Sequence, residues 1–149
     1  MNSNRAFIFI LVLAVFVSGV FPQNRPDALA EYRQGNFERA VQICREEISA
    51  NSSNVESYVV MCWSLLRLGR YEETLRYARI ARGLSRYDAR IVEILGEVYY
   101  HQGNNNEALQ YFQEYVNLAP TGQRIESVYY YIGDIYIRMG KFRHADIAL

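Results

Sequence analysis

Apolar residues recur three and four apart along most of this chain, and the runs they form are broken by glycines at regular intervals. That spacing places one continuous apolar stripe on an α-helix, so the runs predict amphipathic helices. Ala40, Ile43, Cys44 and Ile48 form one stripe. Tyr58, Met61, Cys62 and Leu65 form a second, and Val92, Leu95, Gly96 and Tyr99 repeat it one period later. The predicted helices cover about 27–34, 37–50, 55–68, 71–84, 89–102, 105–118 and 126–139, with a last one starting at Phe142.

The breaks share a motif. Gly35-Asn36-Phe37-Glu38-Arg39-Ala40 returns as Gly69-Arg70-Tyr71-Glu72-Glu73-Thr74, as Gly103-Asn104-Asn105-Asn106-Glu107-Ala108 and as Gly140-Lys141-Phe142-Arg143-His144-Ala145. The glycines stand 34, 34 and then 37 residues apart, and a fixed period of that size is the mark of stacked supersecondary units. A glycine after an apolar-periodic run ends the helix in a left-handed conformation that a side chain would disfavour by roughly 1–2 kcal/mol. Two residues beyond it stands an aromatic (Phe37, Tyr71, Phe142), and five beyond it a small residue (Ala40, Thr74, Ala108, Ala145). A second small site precedes it by seven (Ala28, Cys62, Gly96, Gly133). Matched small sites on consecutive helices imply backbones in close approach, so each unit reads as a helical hairpin.

On these residues the chain resembles the tetratricopeptide repeat, over about 28–149. The resemblance implies an all-α fold: a right-handed solenoid of antiparallel helix pairs, about three full units plus a partial fourth, at about 24–54, 55–88, 89–125 and 126–149. Three features depart from the pattern. Asn105 replaces the aromatic of the third unit, Glu31 stands where the first unit expects a large apolar residue, and only the third unit closes with a proline, Pro120. The connector 120–125 is also three residues longer than its counterparts. Either the seventh helix starts a turn early, near Gln123, or the fourth unit stacks at a different angle.

The first 23 residues do not fit the array. Arg5 and the amino terminus precede a stretch, 6–21, that is apolar apart from Ser18 and Gly19. This is the outline of an export signal, shorter than the roughly 20 residues that span a bilayer comfortably, and it reads as a cleaved signal peptide or an uncleaved signal anchor. Either places the repeats in the periplasm or otherwise outside the cytoplasm, with membrane contact only through 6–21. At the other end, Ala145, Ile147, Ala148 and Leu149 form an apolar edge, expected to continue into a longer parent or to dock on a partner or a second copy.

Composition narrows the chemistry. Half of the 149 residues are apolar, and 16 basic side chains balance 16 acidic ones, without the basic excess of a nucleic-acid binder. The chain has no phosphate-cradling glycine loop, no Gly-x-Ser-x-Gly, no HExxH and no paired-cysteine metal motif, and His101 and His144 fall in different units. No enzyme activity, cofactor or metal is therefore expected. Cys44 and Cys62 lie on adjacent helices, either as a disulfide in an oxidising compartment or as small packing residues.

Function must then come from shape. The resemblance implies that the first helix of each pair lines a concave groove that holds an extended peptide or a helix of a partner. Its candidate contact residues here are Val59, Trp63, Leu66 and Arg67; Glu93, Glu97, Tyr100 and His101; and Tyr130, Asp134, Ile137 and Arg138. A basic column (Arg33, Arg67, His101, Arg138) runs beside the acids Glu97 and Asp134, with Trp63 and Tyr100 as anchors. One subtype of the family grips chaperone carboxylate termini with a lysine and asparagine clamp. Arg25, Leu29, Val60, Arg90 and Ile94 do not reproduce that clamp, so a mixed or partly cationic peptide is expected instead. The expectation is an exported interaction scaffold within an envelope-associated complex. The alternatives are self-association through the C-terminal end and the non-catalytic segment of a longer enzyme.

Overall fold

The computed structural model of the protein describes residues 27–148. The export signal or anchor of the sequence reading lies outside them, as do Arg25 and the side chains of Ile147, Ala148 and Leu149 at the predicted apolar edge. The described chain is all helical: α1 (Ala28–Arg33), α2 (Phe37–Ala50), α3 (Val55–Arg67), α4 (Tyr71–Leu84), α5 (Ala89–His101), α6 (Asn105–Leu118), α7 (Ile125–Arg138) and α8 (Phe142–Ala148). Consecutive helices pack as antiparallel pairs. The odd-numbered helices also stack on one another, α1 on α3, α3 on α5 and α5 on α7, which makes the array a solenoid.

The turns explain the pairing. Gly35, Gly69, Gly103 and Gly140 all take positive φ, between 69° and 84°, and among the described residues no side-chain-bearing residue does. At each of them the amide after the glycine bonds back across the helix end, Asn36 to the Glu31 carbonyl, Arg70 to Leu65, Asn104 to Tyr99 and Lys141 to Tyr136. This is the Schellman closure, which satisfies the last carbonyls of one helix and lets the next begin at once. The connectors between units use side chains instead. Asp27 caps α1 through the amides of Leu29 and Ala30, Asn54 caps α3 through Ser57, and Asp88 caps α5 through Arg90.

Both small sites of the repeat are buried in every unit, from Ala28, Cys62, Gly96 and Gly133 on the first helices to Ala40, Thr74, Ala108 and Ala145 on the second. They bring the paired backbones together, and the larger residues fill the seams. Three apolar clusters follow one another along the stack: Val41, Ile43, Met61 and Leu65; then Tyr58, Val59, Leu75, Ile91 and Leu95; then Val92, Leu109, Phe112, Val128 and Ile132. Glu31, at an expected apolar site, instead accepts a hydrogen bond from Asn36 Nδ2 at 2.8 Å and ties off the first corner.

The long connector settles the register of the last unit. α7 begins at Ile125, not near Gln123, and the extra residues coil into consecutive turns closed by Gly122 N–H to the Ala119 carbonyl and Ile125 N–H to the Gly122 carbonyl. Tyr115 anchors this coil. Its hydroxyl accepts from the Arg124 amide at 3.2 Å, and Gly122 packs so closely on it that a Cβ would lie 2.4 Å from the phenolic oxygen.

Candidate functional site

The first helices of successive units and the α6–α7 connector enclose a groove of about 450 Å³. Tyr32 of α1 and Trp63 and Leu66 of α3 supply its apolar wall, Ala89, Glu93 and Glu97 of α5 its floor, and Gly122, Gln123 and Arg124 of the connector its far side. Trp63 is held against Tyr32, ring centroids 5.8 Å apart, so the wall is fixed by packing between units.

The floor is acidic and unusual. Glu93 is 3% exposed, and its carboxylate meets Arg124 through Nε at 3.1 Å and Nη2 at 3.0 Å. The same guanidinium lies 3.5 Å from Glu97. One arginine thus serves two carboxylates. Burial, with the neighbouring Glu97 charge, pushes the Glu93 carboxyl up to about 7 against the opposing pull of Arg124. Burial and the same Glu97 charge hold the nearby Tyr131 phenol up at about 12. His101 Nε2 approaches Glu97 from the next turn at 3.8 Å.

The structure brings Trp63, Leu66, Arg67, Glu93 and Glu97 together in the groove. It places the others elsewhere. Val59 is fully buried in the cluster between α3, α4 and α5, because α5 packs over the face of α3 that carries it; it offers no surface. His101 stacks on Tyr71, centroids 4.8 Å apart, beside a separate shallow recess at the second corner. Tyr100, Asp134 and Arg138 form a closed cluster joining α5 to α7: the Tyr100 hydroxyl donates to Asp134 at 2.8 Å and accepts from Arg138 Nη2 at 2.6 Å. Tyr130 and Ile137 are exposed on α7, outside the enclosed part of the groove.

Three members of the basic column, Arg67, His101 and Arg138, pack on aromatics of the preceding unit, and Arg33 is exposed at the end of α1. Arg67 lies over the Phe37 ring at 5.3 Å, and His101 repeats the arrangement on Tyr71 one period later. Each residue two before a corner glycine therefore covers the aromatic two beyond the preceding one. For Arg138 of the fourth unit the corresponding position in the third unit holds Asn105 in place of an aromatic, and Arg138 covers Tyr100 instead, at 4.5 Å. Arg90, absent from the predicted contacts, is bound bidentately to Glu56 at 2.7 Å and also to Asp88. Arg124 and Gln123 were not legible as groove residues either. Their one sequence signal is the lengthened third connector.

Among the described residues, no three His, Cys, Asp or Glu side chains stand close enough to hold a metal ion, and no helix is long and apolar enough to cross a membrane. Cys44 and Cys62 are free, buried thiols. Residues 61–122 match the family model of the tetratricopeptide repeat. The chain carries a tetratricopeptide-repeat fold. No curated protein matches the chain by sequence. Among solved structures, this repeat array is similar to MamA from Desulfovibrio magneticus RS-1, with a TM-score of 0.73 and 18% identity over 81% of this chain and 67% of that one. It is also similar to the Pseudomonas aeruginosa protein pilF, with a TM-score of 0.72 and 20% identity over 81% of this chain and 54% of that one. A third similar structure is the first tetratricopeptide domain of Spaghetti (RPAP3) bound to an HSP90 peptide, with a TM-score of 0.70 and 14% identity over 76% of this chain and 87% of that one.

Proposed function

We propose that this protein is an exported scaffold that binds an extended peptide or a helix of a protein partner in the groove between Trp63 and Arg124, within an envelope-associated complex. The observation that carries the binding part is the groove itself, a concave site with a rigid aromatic wall and a charged floor, of the size and composition that recognise side chains. The similar RPAP3 domain holds a peptide, which supports the same use here. The export part is supported by the apolar stretch 6–21 behind Arg5.

Photo-crosslinking tests the site. A crosslinking residue at Leu66 or Gln123 of the full-length chain, expressed in its source cells, captures a partner that a residue at Tyr87, exposed elsewhere on the array, does not. Capture from Tyr87 alone places binding outside the groove and overturns the reading. Recovery of the full-length chain only in the cytoplasmic fraction overturns export.

Self-association is the second reading, favoured by Phe142, which is 64% exposed at the start of the last helix. Light scattering separates the two. A dimer that Phe142→Ser converts to monomer supports self-association, and a monomer at all concentrations removes it.

A further inference from the structure

Glu93 occupies the position that Val59 fills in the preceding unit, and both are buried. A valine suffices for packing there, as the second unit shows. An acid in its place carries the desolvation penalty of a buried charge, which a fold offsets only by pairing it. The pairing comes from an unusual direction. Arg124 is not part of the helical frame but stands in the connector just before α7, and its side chain is 49% exposed. It stands in the one connector that is three residues longer than its counterparts.

The other cations of the groove are engaged elsewhere, Arg67 over Phe37 and Arg90 with Glu56 and Asp88. Two carboxylates, Glu93 and Glu97, therefore share one solvent-accessible guanidinium, beside the apolar surface of Trp63 and Leu66. We propose that Glu93 and Glu97 are the receptor for an arginine or lysine side chain of the bound partner segment, and that Arg124 is a built-in stand-in which that side chain displaces. The inference rests on the groove reading above and names its ligand: a segment with a cationic residue next to an apolar or aromatic one. The carboxylates bind the cation, the wall takes its neighbour, and the released Arg124 swings into solvent on its connector. An acidic segment meets the opposite situation, since the floor it would face already holds two carboxylates around one guanidinium.

Short labelled peptides, capped at both ends, with leucine and phenylalanine flanking a central Arg, Lys, Gln or Glu, test this by fluorescence polarisation against the full-length chain. The Arg and Lys peptides are expected to bind more tightly than the Gln and Glu peptides. Arg124→Gln is expected to raise affinity for the Arg peptide about tenfold, the size of one charge-assisted contact freed from competition, and to leave the Gln peptide unchanged. Glu97→Gln is expected to erase the preference for cations while the helical circular dichroism stays intact. An Arg124→Gln variant whose affinity for the Arg peptide is unchanged or lower overturns the stand-in role, and a preference for the Glu peptide overturns the receptor. If all four peptides bind alike and Leu66→Arg abolishes binding, the groove reading survives and this inference alone falls. If no peptide binds to parent or variant, both fall.

Discussion

The Cβ that Gly96 lacks would lie 2.6 Å from Cε1 of Phe112. Phe112 cannot easily yield, because it is fully buried and stacked on Tyr131 at 5.2 Å. α5 and α6 thus meet where one residue has no side chain and the facing one fills the space. Gly96→Leu and Ala108→Leu are expected to lower stability by roughly 1–3 kcal/mol through overpacking. Gly96→Ala is the finer probe, since alanine gains about 1 kcal/mol of helix propensity over glycine and must still lose to the contact. Thermal melts decide; a higher melting temperature for Gly96→Ala means that the ring gives way. Glu97→Gln, which removes one of two adjacent like charges, should leave the melting temperature level or slightly raised.

Stability should fall as pH rises from about 4.5 to about 7, the window between the ordinary glutamate value and the raised value of Glu93. The sign follows from linkage: across that window the folded state keeps a proton on Glu93 that the unfolded chain has already released, so raising the pH favours unfolding. Glu97 and Arg124 face the same carboxyl, and His101 stands beyond Glu97, so the useful quantity is the difference between parent and Glu93→Gln. That difference should grow in favour of the variant from pH 4.5 to 7 and then level off. A difference that is flat with pH means that Glu93 titrates as an ordinary glutamate.

The connector should be sensitive at Tyr115 and Gly122. Tyr115→Phe removes the acceptor for the Arg124 amide and is expected to cost about 1 kcal/mol. Gly122→Ala should cost more, since its methyl would meet both the Tyr115 hydroxyl and, at 3.1 Å, the Ala119 carbonyl oxygen. Amide exchange at 121–124 should quicken in both variants while α3 and α4 keep their protection. Equal exchange throughout would mean that the coil is held by other contacts.

Asn105 offers a gain. Its Oδ1 is buried without a hydrogen-bond partner, and it stands where the first, second and fourth units carry Phe37, Tyr71 and Phe142. Asn105→Phe removes the unsatisfied oxygen and is expected to stabilise the array by about 1 kcal/mol, read as a higher denaturant midpoint. A lower midpoint would show that the third corner has no room for the ring.

The thiols should be silent until the array opens. Burial pushes Cys44 up to about 12, and Cys62 higher still, so neither presents thiolate at neutral pH. Native protein should react slowly with a thiol reagent and denatured, unreduced protein should release both thiols; none on denaturation would reveal a disulfide.

What could be read from the chain was whatever repeats. The left-handed glycines, the paired small sites and the starts of α2, α4 and α6 follow from local geometry that returns every 34 residues, so each unit corroborates the next. Trp63, Leu66 and Glu97 came with that frame. Val59 did not, because helical spacing orients a residue but does not say how far the neighbouring unit covers it. Arg67 and His101 stand in the basic column expected to meet a partner, although the aromatics they cover lie at a constant offset from them in the sequence. Arg124 lies outside any periodic signal. Its partner is 31 residues back in sequence, across a connector whose path depends on Tyr115 and Gly122.

On the proposal above, that connector is where such an array changes its ligand without changing its architecture. The residues that set the helix packing and those that supply the guanidinium occupy separate stretches of chain. Residues of the insertion that neither meet Tyr115 nor stand at Gly122 can therefore change charge under little constraint from the core. A designer could graft 120–124 into another array only together with a tyrosine in the place of Tyr115, since that buried residue holds the coil in shape.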